Sequence, residues 1–263
     1  MGKQPVALRT SIGEKIVRMA GVKALKYFAK LDDLTIETKG CQDFVSDADR
    51  SVEALIRQQL QYFFPDDAII GEEDAPRSGS SGFTWVIDPI DGTSNFVFKI
   101  PLWCIVLACI YDGEPQISLI YDPIHEELFA SCGAGTTCNG APIRVANAKD
   151  FTFGTTAVGY SMRRDPQNLC KAMLAIATQG GITVRQGSGA LSLAYVAAGR
   201  FIGYLEEHMH AWDCLAGQFL IAQAGGKIEQ QDANTMLAQG GRVIAGAGPI
   251  FKELQTIADH CFE

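Results

Sequence analysis

Phe83-Thr84-Trp85-Val86-Ile87-Asp88-Pro89-Ile90-Asp91-Gly92-Thr93 is an apolar run that ends in two carboxylates, a proline, a glycine and a hydroxyl. Its aromatic and β-branched residues predict a strand over 83–87, and the residues after it predict a tight turn. Pro89 fixes φ, and Gly92 permits a backbone conformation that other residues adopt only at a cost, so the chain can double back at the strand end. Such a turn aims Asp88, Asp91 and the Ile90 carbonyl at one point. A donor set made only of oxygen suits Mg²⁺, Mn²⁺ or Ca²⁺ rather than zinc or copper.

The theme recurs on either side of this segment. Gly71-Glu72-Glu73 closes the apolar Ala68-Ile69-Ile70, and Trp212-Asp213 opens a helical stretch far downstream. Each cluster alone also reads as a solvated turn, because Asp-Gly and Glu-Glu pairs are common loop residues. Three such clusters, each abutting an ordered apolar segment, favour a shared site.

Upstream, Ile12, Ile16, Met19, Ala20, Tyr27 and Phe28 keep a helical period and predict a helix over 11–30. A second helix is predicted over 49–64, with acidic residues at its start, where the helix dipole favours them. Strands are expected at 68–70, 83–87, 104–111, 116–121 and 128–131, the middle pair joined by Asp112-Gly113. Pro76-Arg77-Ser78-Gly79-Ser80-Ser81-Gly82 reads as a mobile surface loop between two strands, too short to separate domains. After about residue 150, strands and helices alternate. Asp165-Pro166 caps a helix, Ser188 to Gly199 forms another, Phe201 to Leu205 is a strand, and Trp212 to Ala224 is a helix stopped by Gly225-Gly226. The fold class expected is α+β: residues 1–150 as a helix-backed, largely antiparallel sheet, and residues 151–263 as an α/β half.

Taken in order, Lys39-Gly40-Cys41-Gln42-Asp43-Phe44-Val45-Ser46-Asp47-Ala48-Asp49, Gly71-Glu72-Glu73, Trp85-Val86-Ile87-Asp88-Pro89-Ile90-Asp91-Gly92-Thr93-Ser94-Asn95-Phe96, Trp212-Asp213 and Ala224-Gly225-Gly226 resemble the motifs of the inositol monophosphatase family of Mg²⁺-dependent, lithium-sensitive phosphatases. The resemblance spans nearly the whole chain, and the central and final motifs are the specific ones. It implies a layered αβαβα sandwich of the carbohydrate-phosphatase type and a homodimer. It also implies that Glu72, Asp88 and the Ile90 carbonyl hold one Mg²⁺, and that Asp88, Asp91 and Asp213 hold a second. Mn²⁺ is a possible substitute.

By the same resemblance, Thr93 and Asp49 form the catalytic pair that takes a proton from the attacking water, with Glu72 also at the catalytic centre. Lys39 and Asp43 lie on a loop that closes over a third, weaker metal held partly by Glu72. Gly92, Thr93 and Ser94 offer donors to phosphate, Ser94 keeping the hydroxyl of the threonine often found there. Gly189, Glu206, Asp91 and Asp213 are expected around the substrate alcohol. Gly189 stands where the family often has alanine, and Glu207 beside Glu206 leaves that assignment open by one residue.

Composition narrows the classes. A net charge of −8 and a pI near 5.1 disfavour a sequence-blind nucleic-acid surface, which is built from clustered Lys and Arg. They do not disfavour a phosphate substrate, because an acidic pocket filled with cations is locally positive. Of eight cysteines none forms a Cys-x-x-Cys pair. Cys104, Cys109 and Cys214 sit in apolar runs, which suggests reduced thiols in a cytoplasm. The N-terminus has no apolar core of signal-peptide length, and the longest apolar runs fall short of a membrane span. His208 and His210 have no third partner that would make a zinc site.

The expected reaction is Mg²⁺-dependent hydrolysis of a small phosphomonoester, foremost inositol monophosphate. Histidinol phosphate, sugar phosphates and nucleotide phosphates are alternatives, with Arg163, Arg164 and Arg185 available to a second anionic group. A reading of another class is a regulatory protein-binding partner in RNA metabolism.

Overall fold

The computed structural model describes residues 3–31, 36–40 and 43–262. Helix α1 (Lys3–Phe28) starts earlier than its apolar period predicts, since Pro5 lies in the first turn, where a missing N–H is tolerated. Helix α2 (Asp47–Phe63) carries Asp47 and Asp49 in its first turn. Between them, β1 (Ile36–Gly40) and β2 (Asp43–Ser46) pair antiparallel where the sequence predicts only a loop.

A seven-stranded sheet follows in chain order: β3 (Ala68–Gly71), β4 (Phe83–Asp91), β5 (Cys104–Tyr111), β6 (Glu114–Asp122), β7 (Glu127–Ser131), β8 (Thr136–Cys138) and β9 (Ala141–Ile143). Only β3 and β4 run parallel. The last two strands escape a sequence reading because three residues are too few to display an alternation. β4 runs past its predicted end at Ile87, and its pairing with β5 shifts register between Asp88 and Asp91. Pro89, which has no N–H to give the ladder, falls inside that irregularity. The short helix α3 (Thr93–Val97) comes next in the chain.

The second sheet has the order β11-β10-β12-β14-β13. Its chain path is β10 (Thr155–Val158), α4 (Pro166–Thr178), β11 (Ile182–Val184), α5 (Gly189–Ala197), β12 (Gly203–Met209), α6 (Ala211–Gln223), β13 (Lys227–Ile228), α7 (Ala233–Gln239), β14 (Gly241–Gly246) and α8 (Phe251–Cys261). β12 continues to Met209, so Glu206 lies within the strand rather than at its end.

Alternation along β4 explains the layering. Trp85 and Ile87 face a core built with Val17 of α1 and Val52, Ile56 and Leu60 of α2. Val86 points the other way, into a core shared with Leu193 and Val196 of α5, Leu220 of α6 and Tyr204 and Val243 of the second sheet. Beyond that sheet, Leu205 and Ile244 pack with Ile176 of α4 and Leu254 of α8. Two sheets and three helical layers thus alternate as αβαβα, with α5 and α6 buried between the sheets.

The 76–82 segment is tied down rather than mobile. Arg77 N donates to the Ile69 carbonyl at 2.8 Å, and Ser81 Oγ donates to Asp67 Oδ1 at 2.6 Å. Asp67, 1% exposed, also accepts from Trp85 Nε1 at 2.9 Å and from Arg9 at 2.7 and 2.8 Å. A buried carboxylate is stable when every lone pair finds such a donor, and here those donors clamp the loop and α1 to the sheet. Among the described residues, Cys104, Cys109, Cys214 and Cys261 are free and buried, and no helix is long and apolar enough to cross a membrane.

Candidate active site

Asp88 and Asp91 leave the C-terminal end of β4, and Asp213 sits in the first turn of α6. One carboxylate oxygen from each falls in a group whose members all lie within 4.8 Å of one another. The register shift in β4 lets two carboxylates three residues apart turn to one side. Asp213 is oriented by its own helix end, where Oδ2 accepts from His210 N at 3.1 Å.

The three carboxylates differ in their support. Asp88, 1% exposed, accepts from Ile90 N at 3.0 Å. Asp91, 8% exposed, is received by the N-terminus of α5: Ala190 N donates at 2.8 Å, Gly189 N at 3.3 Å and Leu191 N at 3.4 Å, and the Ser188 hydroxyl makes a short bond to the same group. A helix N-terminus favours an anion, so this contact fastens the first sheet to the layer behind it. Asn95 adds a second tie, donating to the carbonyls of Leu102 and Gln186 at 2.7 Å each.

Gly92 is required by its backbone. Its φ is +94°, and a Cβ there would stand 3.0 Å from the Leu102 carbonyl oxygen and 3.1 Å from Ser188 Cβ. The following Thr93 Oγ1 lies 3.0 Å from the Ile90 carbonyl and 3.3 Å from Asp49 Oδ1. Asp49 is fully buried, at 0% exposure.

Burial and mutual repulsion hold protons on this cluster. Desolvation, then the charges of Glu72 and Asp91, push Asp88 well above the usual carboxylate range. Asp213 is raised to about 7 by desolvation and then by Asp91. Asp91 is raised by desolvation against the pull of its Ser188 and backbone donors. Among the described residues no lysine or arginine forms a salt bridge with any of the three. Convergent oxygen-only groups, Asp88 and Asp91 buried and Asp213 half-buried, with no salt bridge among the described residues, fit a divalent metal ion, which would supply positive charge.

Glu72 stands outside the tightest group, although its charge reaches Asp88. Ile90, Gly92, Thr93 and Ser94 lie together at the end of β4 and the start of α3. The side chains of Lys39 and Asp43 lie outside the described residues. A cavity of about 180 Å³ borders the cluster, lined by Asp91, Asp213, Gly189, Glu206, Arg185 and Tyr160. Glu206 belongs to that lining, whereas Glu207 turns to Asn168 at 3.2 Å and Arg164 at 3.8 Å. Sequence reasoning passes over Ser188, Tyr204 and Gly159, which hold Asp91 or Glu206 in place. Only Ser188 left a signal, as a hydroxyl preceding a helix.

The profile of the inositol monophosphatase family matches residues 7–260. The chain belongs to that family. The family's fold is likewise found in an inositol monophosphatase from Anabaena (TM-score 0.83, 29% identity, covering 98% of this chain and 97% of that one). The extragenic suppressor protein suhB of Bartonella henselae superposes with a TM-score of 0.89 at 28% identity, over 94% of this chain and 96% of its own. Two relatives carry the description Nus factor SuhB. The protein from Xylella fastidiosa is 40% identical over 217 residues, 81% of this chain and 78% of its own length. That from Pseudomonas aeruginosa is 32% identical over 254 residues, 94% of each.

The protonated cluster makes stability depend on pH in a definite direction. Without divalent cations the folded state keeps protons on Asp213 up to about pH 7, and on Glu206, raised by desolvation, up to about pH 8. Unfolded carboxylates release theirs near pH 4. Folding therefore takes up protons between these values, and stability falls as pH rises through that window. In EDTA the melting temperature is expected to drop on the order of 5 °C more from pH 5 to pH 8 than it does in Mg²⁺. Thermal melts in both buffers check this, and an equal drop in each would contradict it.

Proposed function

We propose that this protein is a Mg²⁺-dependent phosphatase of small phosphomonoesters, with inositol monophosphate as its foremost substrate. The observation that carries the reading is the convergence of the buried Asp88 and Asp91 with the half-buried Asp213, none of them in a salt bridge among the described residues, beside a cavity lined by hydrogen-bonding groups. Glu72, Asp88 and the Ile90 carbonyl are assigned to one ion, Asp88, Asp91 and Asp213 to a second, and Lys39, Asp43 and Glu72 to a third, weaker one. Bound Mg²⁺, or Mn²⁺ in its place, supplies neutralisation of the phosphate and a lowered pKa for the attacking water.

The chain's own part in proton transfer follows from Thr93. Its single hydroxyl hydrogen faces two acceptors, the Ile90 carbonyl at 3.0 Å and Asp49 at 3.3 Å. Were the Ile90 carbonyl to hold an ion, it would be the weaker acceptor, and Thr93 would pass its hydrogen to Asp49 while its oxygen accepts one from water. Gly92, Thr93 and Ser94 are assigned to the phosphate, and Gly189 and Glu206 to hydroxyls of the alcohol.

Release of inorganic phosphate from myo-inositol 1-phosphate, histidinol phosphate, sugar phosphates and a nucleotide 3′-phosphate tests the reading. Turnover is expected with Mg²⁺, lost in EDTA and inhibited by lithium. Absence of Mg²⁺-dependent turnover on the whole panel would overturn it.

The description of the relatives as Nus factors supports a second reading, a protein-binding role in RNA metabolism. The net negative charge hides a local concentration of cations that suits an acidic partner, protein or nucleic acid: Arg18, Lys23, Lys26, Lys30 and Arg50, with Asp47 among them, line one groove between α1 and α2.

A further inference from the structure

Glu206 and Tyr204 alternate along β12 with Leu205 between them, so both side chains turn to the face that carries the cavity. Tyr204 is 1% exposed, and its hydroxyl makes a short hydrogen bond to Glu206 Oε2. Among the described residues Glu206 Oε1 has no hydrogen-bond donor, and the residue lines the cavity. One oxygen is therefore held from within the protein while the other is left to the space beside Asp91 and Asp213. Across the sheet, Gly159 N donates to the Leu205 carbonyl at 2.9 Å, and a Cβ at residue 159 would overlap both Glu206 Oε2 and Tyr204 Oη. The pair can occupy this position only because residue 159 has no side chain.

We propose that Tyr204 is a positioning residue and Gly159 a clearance residue, together locking Glu206 so that its free oxygen selects alcohols carrying a hydroxyl donor beyond the scissile ester. The inference rests on the phosphatase reading and adds the residues that set its preference. A carboxyl group fixed at one oxygen forfeits little rotamer freedom when a ligand hydroxyl arrives at the other, so the bond is made at low entropic cost. A substrate without that hydroxyl gains nothing from the lock.

The test compares myo-inositol 1-phosphate with p-nitrophenyl phosphate, whose leaving group carries no further hydroxyl, in the full chain with Mg²⁺. For Tyr204→Phe, kcat/KM on the inositol ester is expected to fall about tenfold, chiefly through KM, while the aryl ester stays within about twofold. Gly159→Ala is expected to exceed that loss with the same selectivity. Glu206→Gln should show the loss as well, and Tyr204→Phe added to it should cost nothing more, because the two act through one bond. Equal losses on both esters would mark Tyr204 as merely structural, and no loss on either would also overturn the proposal. If the unaltered protein hydrolyses neither ester, the phosphatase reading fails separately. The lock is then read by calorimetric titration with myo-inositol 1-phosphate in Mg²⁺: weaker binding by Tyr204→Phe supports it, and unchanged or absent binding overturns it.

Discussion

Asp88→Asn is expected to lower phosphate release about a thousandfold, roughly 4 kcal/mol of barrier, while raising the melting temperature of the cation-free protein at pH 8. The two effects share one cause. Asp88 is almost fully buried, receives a hydrogen bond from Ile90 N at 3.0 Å, and lies among Glu72, Asp91 and Asp213, whose charges make its ionisation unfavourable. An amide keeps the Ile90 bond through its oxygen, can donate to Asp213, and needs no proton taken up on folding where the raised Asp88 carboxyl does. It also removes the ligand on which both proposed cation sites depend. Such a trade is expected where a site stores repulsion for use by a ligand. Activity assays and thermal melts in EDTA check it, and a variant that is inactive but less stable without cations would refute the argument.

Asp91→Ala is expected to abolish activity as well, but with the opposite effect on stability, lowering the melting temperature by about 10 °C. Asp91 is the anion that the first turn of α5 receives through Gly189 N, Ala190 N, Leu191 N and the Ser188 hydroxyl. Truncation leaves Gly189 N, Ala190 N and the Ser188 hydroxyl without that acceptor at the boundary between sheet and helix layer, while Leu191 N keeps Ser188 Oγ at 3.3 Å. That costs about 3 kcal/mol, at about 2–4 °C for each in a chain of this size. Thermal melts of Asp88→Asn and Asp91→Ala side by side separate a carboxylate that serves only the cluster from one that also joins the layers. Equal stability changes in the two variants would show that the α5 contact carries no net energy.

Legibility in the sequence followed length and period. β5, at Cys104–Tyr111, matched its predicted span because eight residues of near-continuous apolar character leave no competing reading. The helix opened by Asp165-Pro166 was equally plain, since Asp165 accepts from Gln167 N at 2.8 Å and Pro166 stands where its missing N–H is harmless. The loop at 76–82 reads as mobile in the sequence for a physical reason: Gly and Ser report local freedom and are silent about the partners of Arg77 and Ser81, which are Ile69 and Asp67 on the preceding strand and turn. Helix α7 leaves little trace in the sequence, because seven residues, Ala-Asn-Thr-Met-Leu-Ala-Gln, carry too weak a period and depend on the Asp232 cap.

What the linear chain determined is the kind of chemistry and the order of its parts. Oxygen donors at the end of an apolar strand, a glycine after them, and the alternation that sends Trp85 and Val86 to opposite layers are all local consequences of residue type. What only the tertiary structure decided is convergence and support. Asp88, Asp91 and Asp213 meet because α6 is packed between the sheets with its first turn at the end of β4. Asp91 rests on α5, and Glu206 is flanked by Tyr204 of its own strand and by Gly159 just past the end of β10. Distances between groups so far apart in the chain are set by how the layers pack, and packing leaves no mark at the residues it brings together.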